Sequence, residues 1–344
     1  MNEIWPWIEA AVGLLVVGTV LSDVFRSVVL PRATRRTLRL GPALGSLMLR
    51  AWLRWAGAKP TRRHAALGAL GPLLIVMEML IWVALLILGY AMLLQASGGL
   101  RPTPSFGDAL YGAASSFVTT GLSGQEAATG LARLITAVAG FSGLAVVTLV
   151  VTFLLSVQGA LLRREAAVLR LRARLGPGPS GVHLLETLYQ LGPRRNEALP
   201  AFFEAWEAWA ADVLLTHRAY PILCYFRSTD EDCGWLAALG AVLDAAALLA
   251  VMQNEDAGEH AVVCHRMGSR LIADLARQFM IRAPFAPGLD RAAFYAAIER
   301  LEAAGYRTDR ARELMWPEFG QLRSHYLPPL TAMAQRLGEK AMAW

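Results

Sequence analysis

Ser105-Phe-Gly-Asp-Ala-Leu-Tyr-Gly-Ala-Ala-Ser-Ser-Phe-Val-Thr-Thr-Gly-Leu-Ser-Gly124 is the stretch on which the reading of this 344-residue chain turns. It is too short, and too rich in Gly, Ser and Thr, to cross a bilayer, yet apolar runs long enough to cross lie on both sides of it. Residues 106–117 read as a short helix that passes straight into Thr119, Thr120, Gly121, Leu122, Ser123 and Gly124. Such a re-entrant segment persists at membrane depth where protein or a water-filled cavity covers its open backbone. The helix turns a partially negative C-terminal end toward whatever lies beyond, a place that suits a cation. The carbonyls and Thr hydroxyls after it are groups able to replace an ion's hydration shell.

Three apolar runs surround this stretch. Residues 7–30 form the first, which has neither a basic leader nor a small-residue cleavage site and so reads as a span. Near its end Asp23 and Arg26 share a helix face, and an interfacial ion pair accounts for both. Residues 31–65 carry nine Arg and Lys and no acid, with Leu and Trp between the charges. That pattern is a basic amphipathic segment for the anionic inner leaflet. Residues 66–95 are the second span and hold Glu78, a carboxylate costly in lipid that must face protein or water. It is read either as a cation-attracting or gating group or as a structural partner. Residues 96–104 are an outer turn, Asp108 caps the short helix, and residues 125–130 form the outer mouth. Residues 131–161 are the third span. Gly140 and Gly143 within it suit either a hinge or close helix packing. Thr148, Thr152 and Ser156 form a stripe that either faces a pore or bonds its own backbone.

The charge pattern sets an orientation by itself. The 31–65 segment and Arg163–Arg174 lie on the cytoplasmic side, so the N-terminus is outside and the re-entrant loop enters from outside. Basic residues that flank apolar spans are explained by this topology, and no nucleic-acid partner is inferred.

With the approach helix, the Thr pair and the flanking spans in view, residues 66–160 resemble the pore module of the tetrameric potassium-channel superfamily, its bacterial two-helix members in particular. Phe106, Asp108, Ala109, Tyr111, Ser115, Ser116, Phe117, Thr119 and Thr120 carry the resemblance. The family filter is T-V-G-Y-G, and here the string is Thr-Thr-Gly-Leu-Ser-Gly; neither register keeps both glycines. The single-Gly filters of the Trk/Ktr potassium transporters look similar, but those chains carry four copies and this one carries a single copy. The resemblance implies passive conduction of monovalent cations, potassium first, through a homotetramer. Thr119, Thr120, Gly121, Leu122, Ser123 and Gly124 would line the narrow part, with Gly140 and Gly143 as hinge candidates.

The rest of the chain differs in composition. Only six of the 27 acidic residues precede Arg163, so an apolar, basic front half is followed by a mixed-charge back half. Residues 162–181 read as a linker that ends in Gly176-Pro-Gly-Pro-Ser-Gly181, and residues 182–344 as a cytoplasmic bundle of five to seven helices. Leu184, Leu185, Leu188 and Leu191 mark one helix face; Phe202, Phe203, Trp206 and Trp209 mark another. Residues 235–252 form a nearly apolar helix in which Asp244 calls for an Arg partner. Pro200, Pro221, Pro284, Pro287 and Pro317 are expected near breaks. Cys224, Cys233 and Cys264 lack zinc or disulfide spacing. His260, Cys264 and His265 have helical ligand spacing but no second cluster, so no metal is assigned. His217 and residues 225–230 read either as a polar pocket or as a turn in which Asp230 or Asp232 satisfies Arg227. No strand-turn-helix fingerprint or catalytic constellation stands out, so neither an enzyme nor a cofactor is expected.

The expectation is therefore an all-α protein of the inner (plasma) membrane with three spans and one re-entrant loop, joined to a cytoplasmic helical domain. Its partners are monovalent cations, the lipid bilayer and three further copies of itself. The rival reading is a non-conducting scaffold whose cytoplasmic bundle senses or binds a partner.

Overall fold

The structure is a computed structural model that describes residues 4–28, 47, 51, 60–103, 105–121, 124–228, 233–253, 258–281 and 290–339. Within these the chain is helical almost throughout. The helices are α1 (Trp5–Val28), α2 (Pro60–Ala96), α3 (Phe106–Phe117), α4 (Gly130–Leu175), α5 (Gly181–Tyr189), α6 (Arg195–Ala219), α7 (Trp235–Met252), α8 (Gly258–Gln278), α9 (Arg291–Ala304), α10 (Arg312–Ser324) and α11 (Leu327–Leu337). A two-residue antiparallel ladder, which no sequence signal announced, joins β1 (Leu100–Arg101) to β2 (Glu126–Ala127) and ties the segment before α3 to the one after it. Among the described residues, four helices are long and apolar enough to cross a membrane: α1, α2 from Gly68 onward, α4 and α7.

The chain divides into two compact units, residues 1–55 with 72–158, and residues 56–71 with 159–344. In the first, α1, α2, α3 and α4 meet in one core built by Val20, Trp82, Leu86, Tyr90, Ala113, Phe117 and Val146. Two glycines let α1 and α2 approach closely. A Cβ on Gly13 would lie 2.8 Å from the Gly89 carbonyl oxygen, and one on Gly89 would lie 2.8 Å from Val17. Small residues of this kind are how apolar helices pack backbone to backbone. Asp23 is buried and accepts the Trp82 indole N–H at 2.9 Å, so α2 supplies a partner for this carboxylate.

In the second unit α7 is the central element. Every residue from Trp235 to Leu249 is buried, and α5, α8, α10 and α11 pack around it. Its one acid, Asp244, accepts two bonds from Arg323, at 3.0 and 3.3 Å, and one from the Tyr326 hydroxyl. The expected Arg partner is thus supplied by α10. A carboxylate this deep is held only because its charge and lone pairs are met on both sides.

Several sequence-based limits shift. Residues 162–175, read as part of a linker, continue α4 without a break. Apart from Val168 the run is made of Leu, Arg, Ala and Glu, all good helix formers, and Val168, Leu171 and Leu175 are buried in the second core. The chain leaves the helix only at Gly176, which with Gly178 takes a positive φ of 72°. Ser180 then caps α5 by accepting the His183 N–H at 3.2 Å. Helix α2 begins at Pro60, inside the segment read as a basic loop, because proline suits a first turn that has no use for its N–H. The remainder of the 31–65 segment lies outside the described residues, apart from Leu47 and Ala51. Pro200 and Pro317 are not at breaks. Each is the sixth residue of its helix, so it removes one early hydrogen bond without ending the helix. Pro221 opens a 3-10 turn, Pro221–Tyr225, while Pro284 and Pro287 lie outside the described residues.

Candidate functional site

The site is assembled from α3 and the loop that leaves its C-terminal end. Ser105 and Asp108 form a reciprocal capping box: the Ser105 hydroxyl accepts the Asp108 N–H, and the Asp108 carboxylate accepts the Ser105 N–H at 3.0 Å. The acid therefore acts as a cap, at the helix end where the backbone dipole favours negative charge.

The other end of α3 closes on itself. Thr120 N–H bonds the Ser115 carbonyl at 2.9 Å and Thr119 N–H bonds the Ser116 carbonyl at 3.0 Å. This pair of bonds is a Schellman termination, whose pivotal residue must be left-handed. That residue is Thr119, with φ of 60°. Glycine is the usual choice there, and an L side chain in this region costs roughly 1–2 kcal/mol. The Thr120 hydroxyl meets the Ser115 hydroxyl at 3.0 Å and the Ser115 carbonyl at 3.2 Å. Beyond it Gly121 and Gly124 have φ of 68° and 66°, with open space where a Cβ would stand. Val118, Thr119, Thr120, Gly121 and Gly124 are all exposed. Leu122 and Ser123 lie outside the described residues.

The two glycines of α4 lie against this termination. A Cβ on Gly143 would fall 1.9 Å from the Phe117 carbonyl oxygen, and one on Gly140 would fall 3.2 Å from that of Ser116. Helix α4 runs through both positions without a break. At Gly143 the close approach needs the missing Cβ, at Gly140 the fit is only tight, and a hinge would instead need backbone freedom. Between them, Ser142 shares a buried 2.6 Å hydrogen bond with Tyr90 of α2. The structure thus brings Thr120, Ser115, Gly140, Gly143, Ser142 and Tyr90 into one assembly. Tyr90 and Ser142 could not be picked out from the sequence because a lone Tyr and a lone Ser carry no spacing signal. Glu78 is buried on α2. Thr148, Thr152 and Ser156 each donate to the carbonyl four residues earlier at 2.9–3.0 Å, and Thr148 and Thr152 are also exposed. The two readings of that stripe are compatible.

A second polar cluster lies in the other unit. Arg164 of α4 is fully buried, yet all its bonds are made: to Glu165, to the Leu223 and Phe226 carbonyls, and to His217 Nε2 at 3.2 Å. Its guanidinium also lies over the Trp235 ring. Burial first, and then the Arg164 charge, hold the His217 imidazole well below its ordinary pKa, so it is neutral. Burial likewise raises the Cys224 thiol to about 12 and leaves it inert. The Glu339 carboxyl, packed on Gly234, is lifted by burial to about 6 despite the opposing charges of Arg164 and Arg227. Arg227 donates to the Gly338 carbonyl at 2.9 Å, while Asp230 and Asp232 lie outside the described residues.

His260, Cys264 and His265 are not brought to one point. His260 pairs with Glu204 at 3.1 Å, and His265 bonds the Leu322 carbonyl at 3.2 Å. Among the described residues, no group of three or more His, Cys, Asp and Glu side chains is placed to hold a metal. No family model, curated protein or solved structure matches this chain.

Proposed function

We propose that the chain is one subunit of a membrane channel that conducts monovalent cations passively, potassium foremost. One observation carries the reading. A short helix, capped at its start and closed in a left-handed turn at its end, lies between two long apolar helices with its last carbonyls seated on glycines of the second. The exposed backbone from Val118 to Gly121 then lies next to the negative end of that helix, where a partly dehydrated cation is favoured.

A single loop encloses no path, so the reading requires four copies around an axis, with Thr119, Thr120, Gly121, Leu122, Ser123 and Gly124 at the narrow part. Three spans, α1, α2 and α4, cross the bilayer with α3 re-entrant. The basic segments place the N-terminus outside and the helical domain in the cytoplasm. Helix α7 belongs to that domain and not to the bilayer, since protein covers it on all sides.

The test is cation flux into liposomes that carry the purified tetramer, with potassium, sodium and a large organic cation compared. Potassium-selective flux that Gly121→Asp abolishes without loss of folding supports the proposal. Flux that Gly121→Asp leaves unchanged sinks it.

One observation favours the scaffold reading. The Thr120 hydroxyl donates to the Ser115 carbonyl, and the Ser115 and Ser116 carbonyls accept the Thr120 and Thr119 N–H, which leaves fewer groups free for an ion. Verified tetramers with no flux for any cation would make that the better account.

A further inference from the structure

In the second unit a cleft of about 960 Å³ opens between α4 and α6, with Thr187 and Leu188 of α5 also lining it. The two helices run antiparallel: Arg163 of α4 pairs with Asp212 near the end of α6 at 3.2 Å, and Arg174 shares the cleft with Ala198 near its start. The Trp209 indole donates to the Arg164 carbonyl at 3.2 Å and pins the helices at the Arg163 end. Farther along, alanines face the gap, Ala166 and Ala167 on α4 and Ala201 and Ala205 on α6, and leave it unfilled. Its floor is a row of buried aromatic rings, Phe202, Trp206 and Trp209, with successive centroids 6.2 and 4.7 Å apart.

The charge around this apolar trough is one-sided. Its charged lining groups are Arg163, Arg170, Arg174 and Asp212, and the single acid is taken by Arg163. No ion pair among the described residues engages Arg170 or Arg174, which are exposed one turn apart on α4. A volume at the top of the range of about 300–1,000 Å³ typical of ligand sites, an aromatic floor and two free guanidinium groups at one end are complementary to a molecule with a long apolar body and one anionic head. The step from Arg163 to Arg174 spans about 16 Å of helix, room for an extended chain. The charge pattern also selects against this protein's own basic 31–65 segment, whose nine cations and no acid would face arginines.

We propose that this cleft binds a single-chain amphipathic anion of the long-chain carboxylate class, with its chain over Phe202, Trp206 and Trp209 and its carboxylate on Arg170 and Arg174. On α4 the cleft begins at Arg163, the first charge after the apolar run that ends at Leu162, so such a ligand would reach it from the inner leaflet.

The test uses the full chain in nanodiscs of zwitterionic phosphatidylcholine and hexadecanoate carrying a diazirine in its chain, with the labelled peptides mapped. The expected result is labelling concentrated on residues 198–212, competed by plain hexadecanoate and not by hexadecanol. Arg170→Gln with Arg174→Gln should cut it about tenfold, as two partly exposed charge contacts would. Both side chains are exposed, so folding is unaffected; Ala205→Trp, which fills the trough, should abolish labelling separately. Equal competition by hexadecanol, or labelling indifferent to the arginine substitutions, overturns the proposal. Competition by phosphatidylglycerol as strong as that by hexadecanoate overturns it in favour of a bilayer phospholipid. Cross-links to a second copy of the chain overturn it in favour of a subunit contact.

Discussion

Helices α1 and α7 pass the same test of length and apolar composition, but their surroundings are opposite. In α7, 94% of the apolar window is buried within its own unit; in α1 the figure is 28%, and in α4 also 28%. Covering an apolar helix with protein and covering it with lipid satisfy the same physics, because either removes apolar surface from water. What separates the two cases is the neighbours. Asp244 of α7 is matched by Arg323 and Tyr326 on elements that wrap it, while Leu14, Leu15, Phe141 and Val147 on α1 and α4 stand exposed with nothing of this chain over them. A hydropathy criterion counts four candidate spans among the described residues, and burial sets α7 apart from the other three.

The contrast can be broken first where α7 is most committed. Arg323→Ala leaves Asp244 buried without its counter-ion, and the second unit should lose about 3–5 kcal/mol. Chemical unfolding followed by a probe confined to the tail would read this, and a loss under about 1 kcal/mol would mean that water reaches α7 after all. Next comes acid. Burial holds the His265 pKa at about 4, with the Leu322 carbonyl opposing and His325 reinforcing the shift. Between pH 6.5 and 4 the unfolded chain therefore binds a proton that the folded protein refuses, and stability falls as the pH falls through that window. The full loss is about 3 kcal/mol, and none of it is felt above about pH 7. Glu339, raised to about 6, acts in the opposite sense between pH 4.5 and 6, while His217, also buried and neutral, acts in the same sense as His265, so a His265→Gln variant should lose less stability on mild acidification than the parent without reversing the trend.

On the uncovered side the effects are smaller and more local. Gly143→Ala places a methyl group against the Phe117 carbonyl, so α3 must shift; a cost of about 1–3 kcal/mol and loss of cation flux are expected. Gly140→Ala, with 3.2 Å available, should be tolerated, and identical behaviour of the two variants would remove the packing explanation. The smallest effect belongs to Thr119→Gly, which relieves a left-handed Thr. A gain of about 1 kcal/mol in thermal unfolding of the purified protein would check it, and a loss would show that the Thr side chain contributes more than its strain costs.

How far the sequence could be read depends on the range of each signal. The limits of α7 were legible because an unbroken apolar run ends where it begins to be polar. The capping role of Asp108 was legible because an acid in a helix's first turn suits the dipole there, while its reciprocal bond with Ser105 came from the structure. That Asp244 needed an Arg was legible too, but not which one, since Arg323 lies 79 residues away. The continuation of α4 past residue 161 was missed because the pattern changes there from apolar on all sides to amphipathic, and a change of surroundings looks like an end. Thr119 gave no sign of its left-handed backbone, as Thr is a residue that avoids it. The contact between Gly143 and Phe117 and the alanine-walled cleft are both made of absent side chains, and what an absence faces is known only from the fold.

Helix α4 has one more consequence. It is hydrogen-bonded from Gly130 to Leu175, about 69 Å, and the boundary between the two compact units, at residues 158–159, falls inside it. The first turn of any helix is the expensive one, and each later residue adds a bond to a template already formed. During synthesis residues 72–158 emerge ahead of 159–344, so the helix ordered up to Gln158 hands residues 159–175 a template that needs no nucleation of its own. The second core, which Val168, Leu171 and Leu175 help to fill, can then assemble against a strut that is already standing.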